Sequence, residues 1–348
     1  MLISTLLSSL RALASTTAAS PSTPKAITYS VVPEVFLQDL NFTNPTGFDY
    51  IASNFGLINR TYPSDPSCPS ANSSTQWQRL SHYISTLNKE SPKNEQYVLM
   101  FMGRHGEGYH NAAESYFGTP AWNCYWSELD GNGTHAWADA KLTSEGVYQA
   151  QRAHNFWTRL IKDEKITTPE KYYTSPLYRC LDTAEITFTN LTLPKSKPFK
   201  PIVKEFLREG ISAHTCDRRS SRSYIHANFP TFKFEKGFPE DDPYWQVLRA
   251  EPRSNQDARS KIVLDEIVQG GQQVVAISSH SGEISSLLRV LNHRPFSLTT
   301  GSSMPVLVKA VTADGPANPS PTAPYTPQKT CAVPPTIRDS SCNDCSCC

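Results

Sequence analysis

The feature that most constrains the fold is a pair of short apolar runs that each lead to a histidine. Residues 97–102 are apolar and precede Arg104 and His105, and residues 274–277 are apolar and precede His280. Short, continuous apolar runs bounded by polar residues are typical of parallel strands that are buried on both faces. The carboxyl ends of such strands are where α/β sheets bind ligands. The chain is therefore predicted to fold around a parallel sheet with these side chains at its ligand-binding edge.

Apolar periodicity extends this prediction to an alternation of strands and helices. We predict strands at 97–103, 171–174, 201–205, 273–278 and 305–311. We predict helices near 143–162, 177–189, 256–269 and 283–292, and a further helix around residues 77–84. Thr143 is the expected cap of the first of these, and an irregular cap region is expected before residue 256. Alternation of this kind indicates an α/β fold whose mostly parallel sheet is covered by helices on both faces.

Charge and composition exclude several classes of function. The formal net charge is +1 and no basic run occurs, which argues against nucleic acid as the main partner. No stretch reaches the roughly 18 apolar residues that a membrane span needs. The sequence has no Gly-rich phosphate loop and no dinucleotide fingerprint, and we expect no cofactor and no metal. Histidines without metal-ligand spacing are interpreted as structural; they are His110, His154, His226 and His293.

The neighbouring Arg104 and His105 are suited to phosphoryl transfer. A neutral imidazole can attack phosphorus, and a guanidinium can bind phosphoryl oxygens through two parallel hydrogen bonds. A second arginine, Arg179, follows the strand predicted at 171–174. It falls in the first turns of a helix that Ser175 is expected to cap, close to the positive end where anions bind. The pattern indicates transfer through a phosphohistidine.

Four segments in this order resemble the histidine phosphatase superfamily, the phosphoglycerate mutase-like fold. They are residues 104–107, 174–184, 206–210 and 274–282. Finer details resemble a fungal phosphomutase branch of that superfamily, and they lie at 108–113, 122–126, 214–219 and 239–242. The resemblance covers about residues 35–311. It implies a three-layer α/β sandwich with a mostly parallel central sheet and an inserted cap region.

The resemblance also implies roles for individual residues. His105 would be the nucleophile that becomes phosphorylated, and Glu209 would be the proton donor and acceptor. The other groups that it implies at the phosphate are Arg104, Arg179, His280 and Asn111. The glycolytic mutases have Glu-Ser after the first motif and Gly-Asn-Ser after the last histidine, whereas this chain has Glu-Gly-Tyr and Ser-Gly-Glu. This departure leaves the phosphate chemistry intact but puts a phosphoglycerate substrate in doubt.

A cluster of arginines in the insertion offers a second binding group. Arg218 and Arg219, with Asp217 and Arg222 nearby, can bind a second phosphate or a carboxylate of the substrate. The alternative is a surface ion-pair cluster with the acidic residues 240–242. The expected partner is in either case a small phosphorylated metabolite. The oligomeric state stays open.

The two ends of the chain bear on the cellular compartment. Residues 1–34 are expected to be a targeting or disordered segment, 35–311 the catalytic domain, and 312–348 a disordered Pro- and Cys-rich tail. The first segment fits a mitochondrial transit peptide or a weak secretion signal. Glycosylation sequons begin at Asn41, Asn59, Asn72, Asn132 and Asn190. We expect the secretory pathway, with mitochondrial or cytoplasmic location as alternatives.

Nine cysteines leave the pairing open. Cys68 and Cys124 are expected to pair if the chain is secreted, and Cys180 and Cys216 are expected to be free core residues. The terminal cysteines do not fit the prenylation box.

Three functions follow from the site residues. The favoured one is a phosphomonoesterase that works through a phosphohistidine on His105, with Glu209 as general acid and base. The second is a phosphomutase that returns the phosphoryl group to the substrate. The third is a non-catalytic binding protein on the same fold, against which the complete set of motif residues argues.

Overall fold

The computed structural model describes residues 25–69, 73–316, 320–336 and 340–346. The strands are, in chain order, β1 (Lys25–Val31), β2 (Glu95–Arg104), β3 (Lys171–Thr174), β4 (Ile202–Val203), β5 (Lys233–Phe234), β6 (Arg249–Ala250), β7 (Val274–Ser279), β8 (Ser303–Asp314) and β9 (Thr326–Pro327). The α-helices are α1 (Gln76–Glu90), α2 (Tyr109–Phe117), α3 (Thr119–Cys124), α4 (Ser144–Arg159), α5 (Tyr178–Phe188), α6 (Arg222–Asn228), α7 (Arg253–Gln269) and α8 (Ser281–Val290).

Seven strands form the central sheet, in the order β1-β8-β2-β7-β3-β4-β5. In this order, β2, β7, β3, β4 and β5 are each parallel to the next strand. Strand β8 is antiparallel to both β1 and β2. The prediction of a mostly parallel sheet is therefore confirmed.

Alternate residues of β2 face the two sides of the sheet, as the period of two requires. Val98, Met100 and Met102 lie in a buried cluster with residues of α7 and α8. Leu99 and Phe101 lie in a second cluster with residues of α1 and α4. The sheet is thus the middle layer of three, which confirms the predicted three-layer α/β sandwich.

The predicted helix starts had different outcomes. Thr143 caps α4 as expected, since its Oγ1 accepts a hydrogen bond from Gly146 N at 3.1 Å. The prediction that Ser175 caps α5 is wrong. The helix begins later, at Tyr178, and its first N–H donates to Asp139 Oδ1 at 2.8 Å. A carboxylate from a distant loop therefore supplies the cap, which local sequence could not show.

The insertion between β4 and α7 forms a small folded unit against the sheet. Ile225, Phe229 and Phe232 are buried in it together with Leu181 of α5. Strand β5, which belongs to this insertion, extends the edge of the central sheet. The predicted cap region therefore shares the core of the domain.

Both predicted domain boundaries need correction. Strand β1 pairs with β8 along its whole length, so the residues from Lys25 onward belong to the sheet and not to a separate leading segment. The tail expected to be disordered from 312 is instead attached to the domain. β8 continues to Asp314, β9 pairs with β6, and Cys345 forms a disulfide with Cys124. Residues 1–24 of the predicted targeting segment lie outside the described residues.

The predicted pairing of Cys68 with Cys124 is wrong, because Cys68 is a free cysteine. Cys180 and Cys216 are free and buried, as predicted. Cys331 and Cys342 are also disulfide-bonded. In the described part of the chain, no helix combines the length and the apolar composition that crossing a membrane requires.

Candidate active site

Two histidines meet at the carboxyl edge of the sheet because β2 and β7 are adjacent and parallel. His105 directly follows β2 and His280 directly follows β7. The backbone N–H of His105 donates to Ser279 O at 3.0 Å, which continues the ladder between the two strands. The ring centroids of His105 and His280 are 5.0 Å apart, and both residues are almost fully buried.

The contacts of His105 define its tautomer. Its Nδ1 lies 2.7 Å from Gly106 O, and because a carbonyl only accepts, Nδ1 carries the proton. Nε2 then carries the lone pair. The Nε–H of Arg179 donates to that nitrogen at 3.3 Å. The nitrogen that would attack phosphorus is thus the one that faces the arginine.

Arg179 is held rigidly in the first turn of α5. Its Nη1 donates to Cys216 O at 2.6 Å, and its Nη2 pairs with Asp217 Oδ1 at 3.2 Å. Only 1% of its surface is exposed. Asp217 therefore balances a buried guanidinium that would otherwise be costly to desolvate.

Arg104 contributes a second guanidinium from the last residue of β2. Its Nη1 donates to Leu298 O at 2.8 Å. Its Nε is buried and makes no hydrogen bond to the described residues. A buried, unpaired donor carries a free-energy cost that a bound anion would remove. This N–H is therefore well suited to a phosphoryl oxygen.

His280 is oriented by residues of the neighbouring motif. Its Nε2 lies 2.7 Å from Ser175 Oγ and 3.3 Å from Cys180 Sγ. Ser175, which was expected to cap a helix, therefore positions this ring instead.

Glu209 lies at the amino end of α8. Its carboxylate accepts hydrogen bonds from three backbone N–H groups: Gly210 at 2.9 Å, Gly282 at 3.2 Å and Glu283 at 2.9 Å. A Cβ on Gly282 would lie 2.4 Å from Glu209 Oε1, so only glycine permits this approach.

Burial and charge move the pKa values of His105 and Glu209 in opposite directions. Burial lowers the pKa of His105 to well below its ordinary value, and the Arg179 and Arg104 guanidinium groups lower it further. Burial raises the pKa of Glu209 above its ordinary value, and the nearby Asp217 adds to the effect. The histidine is therefore kept neutral as a nucleophile, while the glutamic acid retains its proton to a higher pH.

A third histidine, His110, lies beside the first two. Its ring centroid is 5.4 Å from that of His105, and its Nδ1 is buried without a hydrogen-bond partner in the described chain. The lack of metal-ligand spacing predicted a structural role for His110. The signal for its place near His105 is position, since His110 lies in the first turn of the helix that follows His105.

The three residues predicted to bind substrate have other contacts. Asn111 Oδ1 accepts from Gly108 N at 3.0 Å and so caps the start of α2. Arg218 pairs with Asp130 at 2.7 Å on the surface. The five N–H groups of Arg219 are all bound within the protein, which favours the ion-pair alternative, and its role in substrate binding stays a prediction. They donate to the carboxylate of Glu205 and to four backbone carbonyls.

One cluster near the site has metal-ligating residue types. The ligand atoms of His214, Cys216 and Asp217 lie within 4.8 Å of one another. Asp217, however, accepts from Arg179 with one oxygen and from Ser212 Oγ with the other at 2.7 Å. We therefore assign its carboxylate to holding Arg179.

Taken together, the structure brings all five predicted catalytic residues to one edge of the sheet, in positions that fit phosphoryl transfer. The site offers a neutral nucleophilic nitrogen, two guanidinium groups and a carboxyl group of raised pKa. Such a site can stabilise the charge that spreads over the oxygens of a transferring phosphoryl group.

Comparison with known proteins agrees with this chemistry. Residues 100–306 match the family model for the histidine phosphatase superfamily (branch 1). A protein of Arthroderma benhamiae named "Probable phosphoglycerate mutase" is 47% identical over 295 residues, which cover 84% of this chain and 88% of that protein. A probable phosphoglycerate mutase of Saccharomyces cerevisiae is 32% identical over 252 residues, with 67% and 84% covered.

Among solved structures, a phosphoglycerate mutase from Thermus thermophilus aligns with a TM-score of 0.32 at 21% identity, covering 64% of this chain and 95% of that chain. The match to the family model spans more than half of this sequence, and it contains the segments that carry Arg104, His105, Arg179, Glu209 and His280. The chain belongs to the histidine phosphatase superfamily.

Proposed function

We propose that this chain is a phosphomonoesterase that hydrolyses a small phosphorylated metabolite through a phosphohistidine on His105. The observation that carries the proposal is the pairing of the His105 Nε2 lone pair with a buried guanidinium, beside the unpaired N–H of Arg104. Members of the superfamily are phosphatases or mutases, and both begin with the same phosphoryl transfer.

In the first step, His105 Nε2 attacks phosphorus. The bond from phosphorus to nitrogen forms while the bond to the leaving oxygen breaks. Glu209 gives its proton to that oxygen, so that the substrate leaves as an alcohol. Arg104 and Arg179 bind the equatorial oxygens, where negative charge accumulates.

In the second step, water attacks the phosphohistidine. Glu209, now a carboxylate, takes a proton from the water, and the bond from phosphorus to His105 breaks. Inorganic phosphate leaves, and both residues return to their starting protonation states. No net proton or electron is required beyond those of hydrolysis.

The absence of a second anion-binding arginine among the predicted substrate-binding residues supports hydrolysis over mutase chemistry. A mutase for a phosphoglycerate must also bind a carboxylate and hold the intermediate while the phosphoryl group returns. Arg219 is fully occupied within the protein, and Arg218 is paired at the surface. In the described chain, Arg104 and Arg179 are the arginines that act on His105, and two guanidinium groups are enough to bind one phosphoryl group.

A phosphomutase is the second candidate function. Two relatives, at 47% and 32% identity, carry the name of probable phosphoglycerate mutases. In this alternative, the phosphohistidine would return its phosphoryl group to a second hydroxyl instead of to water.

The test is phosphate release from p-nitrophenyl phosphate by the wild type and by His105→Ala. We expect release by the wild type and its loss in the variant. A panel of sugar and glycerate phosphates would then be screened for release and for isomerisation. Activity that persists in His105→Ala would contradict the proposal, and isomerisation without release would favour the mutase. A wild type inactive on the whole panel would favour a binding role.

We also propose that the chain matures in the secretory pathway. The support is the disulfide between Cys124 and Cys345, since stable disulfides form in oxidising compartments. Asn41, Asn59, Asn132 and Asn190 of the sequons are exposed. Expression of the chain from Met1 in a filamentous fungus tests this. A glycosidase-sensitive form in the secretory fraction is expected, and an unmodified mitochondrial or cytosolic form would contradict it.

A further inference from the structure

The loop that carries Glu209 is held from behind by one buried arginine, Arg259 of α7. Its Nη2 donates to the carbonyl of Glu209 itself at 2.9 Å. Its Nη1 donates to Arg208 O at 2.9 Å and to Phe206 O at 3.0 Å. A single rigid guanidinium thus binds three carbonyls within four residues of the loop. The orientation of the loop is therefore coupled to α7.

The same arginine also binds the helix whose N-terminus holds the Glu209 carboxylate. Its Nη1 lies 2.7 Å from Oε2 of Glu283, a fully buried residue in the first turn of α8. The other oxygen of Glu283 accepts from Ser260 Oγ at 2.6 Å. The backbone N–H of Glu283 donates to Glu209 Oε1. A closed ring of contacts therefore runs from Arg259 to Glu283, to the Glu209 carboxylate, and back through the Glu209 carbonyl.

A second acid, whose side chain is also buried, binds the same arginine. Glu251 pairs with Arg259 Nη2 at 2.7 Å, and its Oε1 also accepts from the backbone N–H of Ile211 at 2.9 Å. Ile211 lies two residues after Glu209, so the loop is bound on both sides of that residue. Among the described residues, Arg259 donates hydrogen bonds only to this loop, to Glu283 and to Glu251.

We propose that Arg259 and Glu283 are positioning residues that fix Glu209 for proton transfer to the leaving oxygen, and so set the range of leaving groups that the enzyme can expel. The inference rests on the proposed function, in which Glu209 is the general acid. Proton transfer requires heavy atoms within hydrogen-bond reach, and a displacement of about 1 Å can cost about 10²-fold in rate. Substrates whose leaving group departs without a proton need no such alignment.

The test compares two aryl phosphates that differ in leaving group. p-Nitrophenolate departs readily without protonation, whereas phenolate is a poorer leaving group that benefits from it. We expect Arg259→Lys to lower kcat/KM for phenyl phosphate at least tenfold more than for p-nitrophenyl phosphate. Glu283→Gln should show the same selectivity to a smaller extent. kcat/KM is the appropriate quantity because it reports the step in which the leaving group departs.

Arg289→Lys is the matched control. Arg289 also links α8 to α7, through Asp257, but it makes no contact with the Glu209 loop. It should leave the ratio of the two kcat/KM values unchanged. If Arg259→Lys does not fold, Glu283→Gln decides the outcome.

Glu209→Gln distinguishes a failure of the inference from a failure of the proposed function. Suppose that Glu209→Gln shows the leaving-group selectivity, whereas Arg259→Lys and Glu283→Gln show none or slow both substrates equally. The inference is then overturned and the proposed function stands. If Glu209→Gln itself shows no selectivity, its role as general acid fails, and the inference fails with it.

Discussion

At the scale of single residues, the first step requires His105 without its second proton and Glu209 with its proton. The lowered pKa of His105 keeps it neutral as pH falls below its ordinary value. The raised pKa of Glu209 keeps it protonated above its own ordinary value. Activity should therefore decline at low pH as His105 gains a proton, and at high pH as Glu209 loses one.

Glu209→Gln tests the alkaline limb of this profile. Glutamine keeps the shape of the side chain but cannot titrate or donate the acidic proton. We expect kcat/KM for phenyl phosphate to fall by about 10²–10⁴-fold and the alkaline decline to disappear. Because ionisation of the substrate is the same for both enzymes, the difference between their pH profiles reports Glu209. An unchanged alkaline decline would show that another group is responsible.

Alanine substitutions of Arg219 and Arg218 show whether each arginine stabilises the fold or binds substrate. Arg219→Ala would remove the five hydrogen bonds of a buried guanidinium, although Glu205 would keep Arg208 as a partner, and it should destabilise the fold by about 3 kcal/mol or more. Arg218→Ala removes a partly exposed pair worth at most about 1 kcal/mol. Denaturant unfolding measures both. A large rise in KM in folded Arg219→Ala protein would restore the substrate-binding interpretation.

At the scale of elements, sequence patterns were sufficient to predict the strands and helices that carry the site. The apolar runs before His105 and His280 specify buried strands, and parallel pairing then brings their ends together. The contacts that orient each side chain come from distant segments, and sequence spacing carries no record of them. Asp139 caps α5, and Ser175 turns toward His280. For Arg219, only the folded insertion shows that its donors are already bound.

Gly282 tests how the start of α8 supports catalysis. Gly282→Ala places a methyl group where the Glu209 carboxylate now lies, 2.4 Å from Oε1. We expect a fall of about 10²-fold in kcat/KM for phenyl phosphate. The melting temperature should change little, since alanine is the better helix former. Ser285→Ala, on the same helix, should leave kcat/KM unchanged, and a Gly282→Ala enzyme of normal activity would contradict the proposed fit.

At the scale of the whole molecule, the C-terminal segment is a structural part of the domain. The Cys124–Cys345 disulfide closes a span of 221 residues, and β9 adds a second attachment at β6. Composition predicted disorder here because Pro- and Ser-rich segments bury little apolar surface. The disulfide and the pairing with β6 attach this segment to the domain.

Removal of this disulfide tests the attachment. The double variant Cys124→Ser, Cys345→Ser should lose about 2–5 kcal/mol of unfolding free energy, because its unfolded state is less constrained. Denaturant unfolding without reductant measures the loss, and Cys68→Ser serves as the control for a free cysteine. A double variant as stable as the wild type would show that the disulfide adds nothing to the fold.

The most direct test of the proposed mechanism is detection of phosphohistidine on His105 during turnover. The enzyme would be mixed with p-nitrophenyl phosphate, quenched in alkali to preserve the acid-labile bond, and digested for mass spectrometry. We predict one phosphoryl group on the peptide that contains His105, and none on the corresponding peptide of His105→Ala. The proposed mechanism would be contradicted if the rapidly quenched wild type turned over steadily with an unmodified His105 and the His105→Ala variant were also active.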